Sequence, residues 1–281
     1  MNTGATTGQR KIAYITAIFG TYEKSAKEYI EQTLLSDFIC FTDNPNLIAN
    51  NWIIDMNPYH YTHPSPIDQG SDAAQVNSLT RNKHTFNIAK YYKEQWHLIP
   101  RLAAYDYVVW LDGTMQISNP LLSEYIVTIL SKGEKVITLD HDWRSGSLAA
   151  ETADSSTNGK YCVHWWNGQE QPYQDVIRQY TTYIQDGYND TLWREAKPER
   201  PHYGVFVTCF VAWPMVGPHA EETKRFLNIW YEQNLYFTTQ DQIAFPFVCQ
   251  KLGVQPYTFP DEVSGGNQFH NIFFEKLQHG L

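Results

Sequence analysis

Short apolar runs recur along the chain, and most stop at a glycine or a polar residue. Lys11-Ile-Ala-Tyr-Ile-Thr-Ala-Ile-Phe19 is the first and ends at Gly20-Thr-Tyr, a turn signal. Asp37-Phe-Ile-Cys-Phe-Thr42 stops at Asp43-Asn-Pro-Asn, and Trp52-Ile-Ile-Asp predicts a third strand. Tyr105-Asp-Tyr-Val-Val-Trp-Leu111 ends at Asp112-Gly113, and Lys135-Val-Ile-Thr-Leu139 ends at Asp140-His-Asp. Val205-Phe-Val-Thr-Cys-Phe-Val-Ala-Trp213 is the longest run. Between them the period changes to that of a helix. Over Thr80 to Ile99, Ala89, Tyr92, Trp96 and Ile99 form one apolar stripe, and Lys83, Lys90, Lys93 and His97 lie along a second. Further helices are predicted over about Ser25–Leu35 (a polar one), Leu121–Ser131 after Pro120, Tyr173–Gln185, Glu221–Asn234 and Gln240–Leu252, the last interrupted at Pro246. Residues 56–79 read as a long loop, and residues 144–172 as irregular.

Strands that alternate with helices imply an α/β fold: a mostly parallel central sheet with helices on both faces. In such sheets ligands bind beyond the carboxyl ends of the strands. Those ends are Phe19-Gly20, Thr42-Asp43, Asp112-Gly113 and Asp140-His141-Asp142. No repeat or linker divides the chain, so residues 11–281 are expected to form a single domain after a polar tail, 1–10, with a less regular insertion at about 145–201.

The 281 residues suffice for a substantial core, and the net charge of -9 argues against a general nucleic-acid binder. Aromatic residues are 15% of the chain; they fill cores and also suit sugar rings. Cys40, Cys162, Cys209 and Cys249 form no CxxC pair, and three sit in apolar runs, which reads as buried thiols in a reducing compartment. Residues 1–10 do not read as a signal peptide, and no apolar run reaches the ~20 residues that span a bilayer. The expectation is a soluble, cytoplasmic protein without a transmembrane segment; peripheral contact with a membrane-bound acceptor stays open.

Asp112 is the most informative polar residue. An acid directly after a buried strand either caps the following turn or holds a divalent cation that bridges the phosphates of a nucleotide. Lys90, Lys93 and His97, with Arg81 just before them, form either a solvated helix face or a holder for a diphosphate. Asp241-Gln242 starts a helix, where an acid serves as a cap or meets a sugar or an acceptor hydroxyl. His60 and His63 have HxxH spacing without an evident third ligand, and His270 is either a surface residue or a metal ligand reaching back to Asp112. No Gly-x-Ser-x-Gly elbow, Walker motif or GxGxxG is present.

Tyr14-Ile-Thr-Ala-Ile-Phe-Gly20, Asp37-Phe-Ile-Cys-Phe-Thr-Asp43, Ala89-Lys-Tyr-Tyr-Lys93 with His97, Tyr105-Asp-Tyr-Val-Val-Trp-Leu-Asp-Gly113 with Gln116-Ile117, His141 with Arg144, and Gln240-Asp-Gln-Ile-Ala-Phe-Pro-Phe247 follow one another in an order that resembles the DUF616 family of glycosyltransferase-like proteins. The resemblance spans about residues 11–250. It implies a GT-A type, Rossmann-like fold and a UDP- or GDP-sugar donor, with a glycan or lipid-linked acceptor. It also implies that Thr16, Ala17, Phe19 and Gly20 lie against the nucleotide, and Asp43 near the base or ribose. Arg81, Lys90, Lys93, Asp112 and Gly113 would serve the diphosphate, with Mn²⁺ or Mg²⁺ on Asp112. Asp241, or an acid of the Asp140-His-Asp142 turn, would act on the acceptor or sugar. Thr114 stands where the metal motif has its second acid, so Asp112 either draws on another ligand such as His270 or works without a metal. Two other readings compete: a metal-dependent hydrolase using His60, His63, His141 and Asp142, and a carbohydrate-binding protein without catalysis that uses Trp165 and Trp166.

Overall fold

The computed structural model describes residues 11–64, 85–157, 165–166, 169–170 and 174–279. A seven-stranded sheet forms the centre, built from β1 (Ile12–Ile18), β2 (Ser36–Thr42), β3 (Ile53–Asp55), β4 (Tyr107–Leu111), β6 (Ile137–Asp140), β9 (Phe206–Pro214) and β10 (Tyr257–Thr258). Its order is β3-β2-β1-β4-β9-β6-β10, and every strand except β9 runs the same way. Two short antiparallel pairs lie outside it: β5 (Met115–Ile117) with β11 (Phe274–Lys276), and β7 (Trp165–Trp166) with β8 (Gln169–Glu170). The helices are α1 (Tyr59–Thr62), α2 (Thr85–Glu94), α3 (Leu122–Ser131), α4 (Leu148–Thr157), α5 (Val176–Gln185), α6 (Thr191–Ala196), α7 (Ala220–Tyr236), α8 (Asp241–Leu252) and α9 (Asp261–Ser264).

The apolar runs are strands buried on both faces, as a largely parallel sheet requires. Because side chains alternate along a strand, Ala13, Ile15, Val108, Trp110, Val211 and Trp213 enter one core, with residues of α2, α7 and α8. Ile12, Tyr14, Val109, Leu111, Phe210 and Ala212 enter the other, with α3 and the β5–β11 pair. Leu148, Val176, Tyr183 and Trp193, from the segment expected as an insertion, join the first core. Among the described residues no helix is long and apolar enough to cross a membrane. Cys40, Cys209 and Cys249 are free and buried, and burial pushes the thiols of Cys40 and Cys209 up to about 12; Cys162 lies outside the described residues.

Several elements differ from the expectation. Residues 25–35 are not a helix: they run irregularly, with bridges from Ser25 to Ile48 and from Tyr29 to Ile117. Their backbone bonds go to distant segments (Ala26 N to Ile48 O, 3.0 Å; Thr33 N to Pro120 O, 3.0 Å), which satisfies groups that a helix would pair internally. Helix α2 stops at Glu94, so His97 belongs to the 3₁₀ turn Trp96–Leu98 and does not extend the lysine stripe. Residues 148–157 are helical rather than irregular: Leu148, Glu151, Thr152 and Ser155 supply a buried face, and the Thr152 hydroxyl returns a bond to Leu148 O at 2.8 Å. Helix α8 runs uninterrupted through Pro246, because residues 243–249 are all buried and their packing outweighs the one backbone bond that proline forgoes.

Candidate active site

The chain leaves β1 to pair β2 and β3 on one side, then returns to place β4 on the other. This reversal is a topological switch point, and it opens a crevice at the carboxyl ends of β1 and β4. At the end of β1, Gly20 takes φ of 65°, a left-handed conformation that favours glycine, and its N–H donates to Asp43 Oδ1 at 2.7 Å. At the end of β4 the chain turns sharply. Asp112 N donates to Cys209 O and Met115 N donates to Asp112 O, each at 2.8 Å. The turn leads into β5, which recruits β11 from the far end of the chain. Leu277 N then donates to Thr114 O at 2.8 Å, and His279 Nδ1 lies 2.5 Å from Glu23 Oε1.

A cavity of about 300 Å³ occupies this edge. Ala17, Phe19, Tyr22 and Glu23 form the β1 side, and Thr85, Phe86, Ala89 and Lys90 come from the first half of α2. Trp110 and Asp112–Thr114 form the β4 side; Thr208 and Cys209 come from β9, residues 239–242 from the start of α8, and Lys276 and His279 from the C-terminal segment.

Beneath one wall lies a cluster of alternating charge. The Lys93 side chain is only 2% exposed. Its ammonium is ion-paired with Asp241 Oδ2, donates to Thr208 Oγ1 at 3.2 Å and lies 3.5 Å from Asp112 Oδ1. Lys90 Nζ reaches the same Asp241 oxygen at 2.9 Å, and Thr208 Oγ1 donates to it at 3.0 Å. Trp110 Nε1 donates to Asp112 Oδ1 at 2.6 Å. Burial works against the charge on Lys93, but Asp112 and Asp241 outweigh it and hold the ammonium above its usual range. Burial likewise opposes ionisation of Asp241 and Asp112, and Lys90 and Lys93 reverse the effect for both, keeping them below the usual carboxylate range. Behind the cluster the buried carboxyl of Glu94 goes the other way: burial first, then Asp241, push it up to about 8, against the lowering pull of Lys90 and of its bond from Asn234.

A second polar group supports Gln242. Glu151, 2% exposed, accepts from Arg144 Nε at 2.6 Å, from Ser155 Oγ at 3.2 Å and from Gln242 Nε2. His141 Nε2 lies 3.6 Å from it, and burial holds this imidazole at about 4, neutral at physiological pH. A connected set thus runs from the end of β6 to the cavity wall.

Of the residues singled out by sequence, Ala17, Phe19, Lys90, Asp112, Gly113 and Asp241 line the cavity, and Lys93 lies directly behind it, bonded to the wall residues Thr208 and Asp241. Thr16 is buried in β1, and Gly20 and Asp43 pair with each other beside the cavity rather than lining it. Asp142 accepts from Gln268 N at 3.0 Å, and His270 is exposed, its backbone bonded to Asn267; neither lines the cavity. Arg81 lies outside the described residues, as do the side chains of Trp165 and Trp166. His60 bonds Tyr92 and His63 bonds Thr62, whereas His141 is held at Glu151, so these histidines serve separate parts of the fold. Glu23, Trp110, Thr208, Lys276 and His279 are site residues that sequence reasoning missed. Only Thr208, a polar residue inside a nine-residue buried strand, carried a local signal.

The residues around Asp112 fit a divalent ion poorly. Asp112 Oδ1 is already committed to Trp110 and faces Lys93, and Thr114 is 2% exposed and offers no carboxylate. Among the described residues no group of three or more His, Cys, Asp or Glu is placed to hold a metal. A dication on that carboxylate would share it with an ammonium, and unit charges about 4 Å apart repel by about 4 kcal/mol near a protein surface. Compared with protein-family models and with curated proteins, the chain matches none.

Proposed function

We propose that this chain is a glycosyltransferase of the GT-A type that moves a sugar from a UDP- or GDP-sugar to a glycan or lipid-linked acceptor. The observation that carries the reading is the position of the cavity. It lies at the switch point between β1 and β4 of a mostly parallel sheet, the edge where Rossmann-like folds hold nucleotides. The order β3-β2-β1-β4 is that of the first half of such a fold. The sequence resemblance to the DUF616 family supports the same reading.

In this reading the nucleoside lies along Ala17 and Phe19, near the edge-on pair Tyr22 and Phe86. The diphosphate lies over the Asp112-Gly113 turn, within reach of Lys90 and Lys276. The sugar points toward Asp241 and Gln242. During transfer the anomeric carbon exchanges its bond to the diphosphate oxygen for one to the acceptor oxygen, and negative charge grows on the leaving diphosphate. Cations at that place, here Lys90 and Lys276, favour the transition state over the bound donor. Asp241 is held ionised by two lysines, which makes it a weak base and a good acceptor of sugar-hydroxyl hydrogen bonds; Glu151 holds Gln242 for the same task. Asp142 serves the fold through its bond to Gln268.

Calorimetric titration with UDP and GDP tests the proposal. One of the two binds saturably at one site, and Ala17→Trp, which fills the cavity, abolishes the binding. Absence of binding by both, with and without Mn²⁺, contradicts it.

A further inference from the structure

Two lysines of α2 share one aspartate, but they are not equivalent. Lys93 is 2% exposed and has three partners on three elements: Asp241 at the start of α8, Thr208 on β9 and Asp112 after β4. Lys90 is 18% exposed, lines the cavity and, among the described residues, has a single ion-pair partner, Asp241. Moving Lys90 away leaves Asp241 still paired with Lys93 and still accepting from Thr208. Lys90 can therefore turn toward an incoming anion without stranding a buried charge, which is the costly outcome in such clusters. Lys93 is held in place, since its departure takes the ammonium from Asp112 and leaves Asp241 with Lys90 alone.

We propose that this lysine pair takes the place of the divalent ion that the site fits poorly. Lys93 is the fixed cation that neutralises Asp112 and Asp241, a positioning residue. Lys90 is the movable cation that contacts the donor's phosphates, so donor binding is independent of metal. The inference rests on the nucleotide-sugar reading above and specifies how charge is balanced within it. The chemistry is consistent with an ammonium acting as a point charge for phosphate, a role lysine fills without fixed geometry.

The test is calorimetry with UDP and GDP on the full chain, in EDTA and then in Mn²⁺. The expected result is a Kd in EDTA within about twofold of that in Mn²⁺. Lys90→Gln weakens the diphosphate about tenfold, the loss of one charge-assisted contact, while uridine or guanosine binds as before, and Lys90→Arg restores most of the loss. Lys93→Met removes the cation that Asp112 and Asp241 share; electron paramagnetic resonance is expected to show no Mn²⁺ binding to the wild type and Mn²⁺ binding to this variant, and Mn²⁺ bound tightly by the wild type overturns the proposal. If EDTA abolishes binding that Mn²⁺ supports, the lysine proposal falls and the nucleotide reading stands. If Lys90→Gln weakens nucleoside and diphosphate equally, Lys90 is structural and the proposal falls. If neither diphosphate binds under any condition, both fall together. Should Lys93→Met fail to fold, the EDTA comparison and the Lys90 variants decide alone.

Discussion

Lys93→Met removes the ammonium on which the cluster turns, and its cost follows from what each partner loses. Breaking a buried ion pair by deleting one member typically costs 3–5 kcal/mol, because the other charge stays desolvated. Here Asp241, 10% exposed, keeps Lys90 at 2.9 Å and Thr208 at 3.0 Å, while Asp112, 42% exposed, recovers part of its hydration. The cost therefore falls at the low end, about 3 kcal/mol. For a chain of this size that corresponds to a Tm lower by about 5 °C. Urea unfolding at pH 7 measures it. The double variant Lys93→Met/Asp241→Asn supplies the internal check, since removing both charges recovers at least about 1 kcal/mol relative to the sum of the single changes. A Lys93→Met cost below about 0.5 kcal/mol, or strict additivity with Asp241→Asn, refutes the buried cluster.

Three further predictions follow from separate features. Glu94 has a raised pKa, so its stabilising contribution is complete below the ordinary carboxylate range and is lost as pH rises through about 8; wild-type stability falls between about pH 5 and 8, by on the order of 1.4 kcal/mol per pH unit at most, then levels off, and Glu94→Gln flattens that slope in a calorimetric pH series. Gly146 has φ of 65° and a Cβ there would lie 2.3 Å from Tyr203 O, whereas Gly253 has the same φ with nothing within 4 Å; Gly146→Ala thus costs about 3 kcal/mol and Gly253→Ala about 1 kcal/mol by urea midpoint. Lys276→Gln, at the end of β11, weakens UDP or GDP by about tenfold while leaving uridine or guanosine unchanged in the same titration.

The strands were legible because burial on both faces leaves an unmistakable mark: β1, β4 and β9 are continuous apolar runs, and the residues after β1 and β4 border the cavity. The mostly parallel arrangement with helices around it follows from the same runs, whereas the seventh strand, β10, is only two residues long and left no such run. Asp112 and Asp241 were legible for a related reason, since each adjoins an apolar element that fixes it. What the pattern hides is pairing over distance. Residues 25–35 have helix-compatible composition, yet their backbone is satisfied by Ile48 and Pro120. Lys93 reads as one of a solvated stripe until Asp241, far along the chain, covers it. Lys276 and His279 reach the site only because three residues of β11 pair with β5. No periodicity along the chain records these contacts, which tertiary structure creates between segments that are each locally ordinary.

The most direct test of the account is a crystal structure of the chain with UDP or GDP bound. The account predicts a nucleoside along Ala17 and Phe19 and a diphosphate over the Asp112-Gly113 turn, with Lys90 turned from Asp241 toward a phosphate oxygen. A nucleotide bound away from the β1–β4 crevice, or a crevice that stays empty at concentrations that saturate the calorimetric signal, contradicts it.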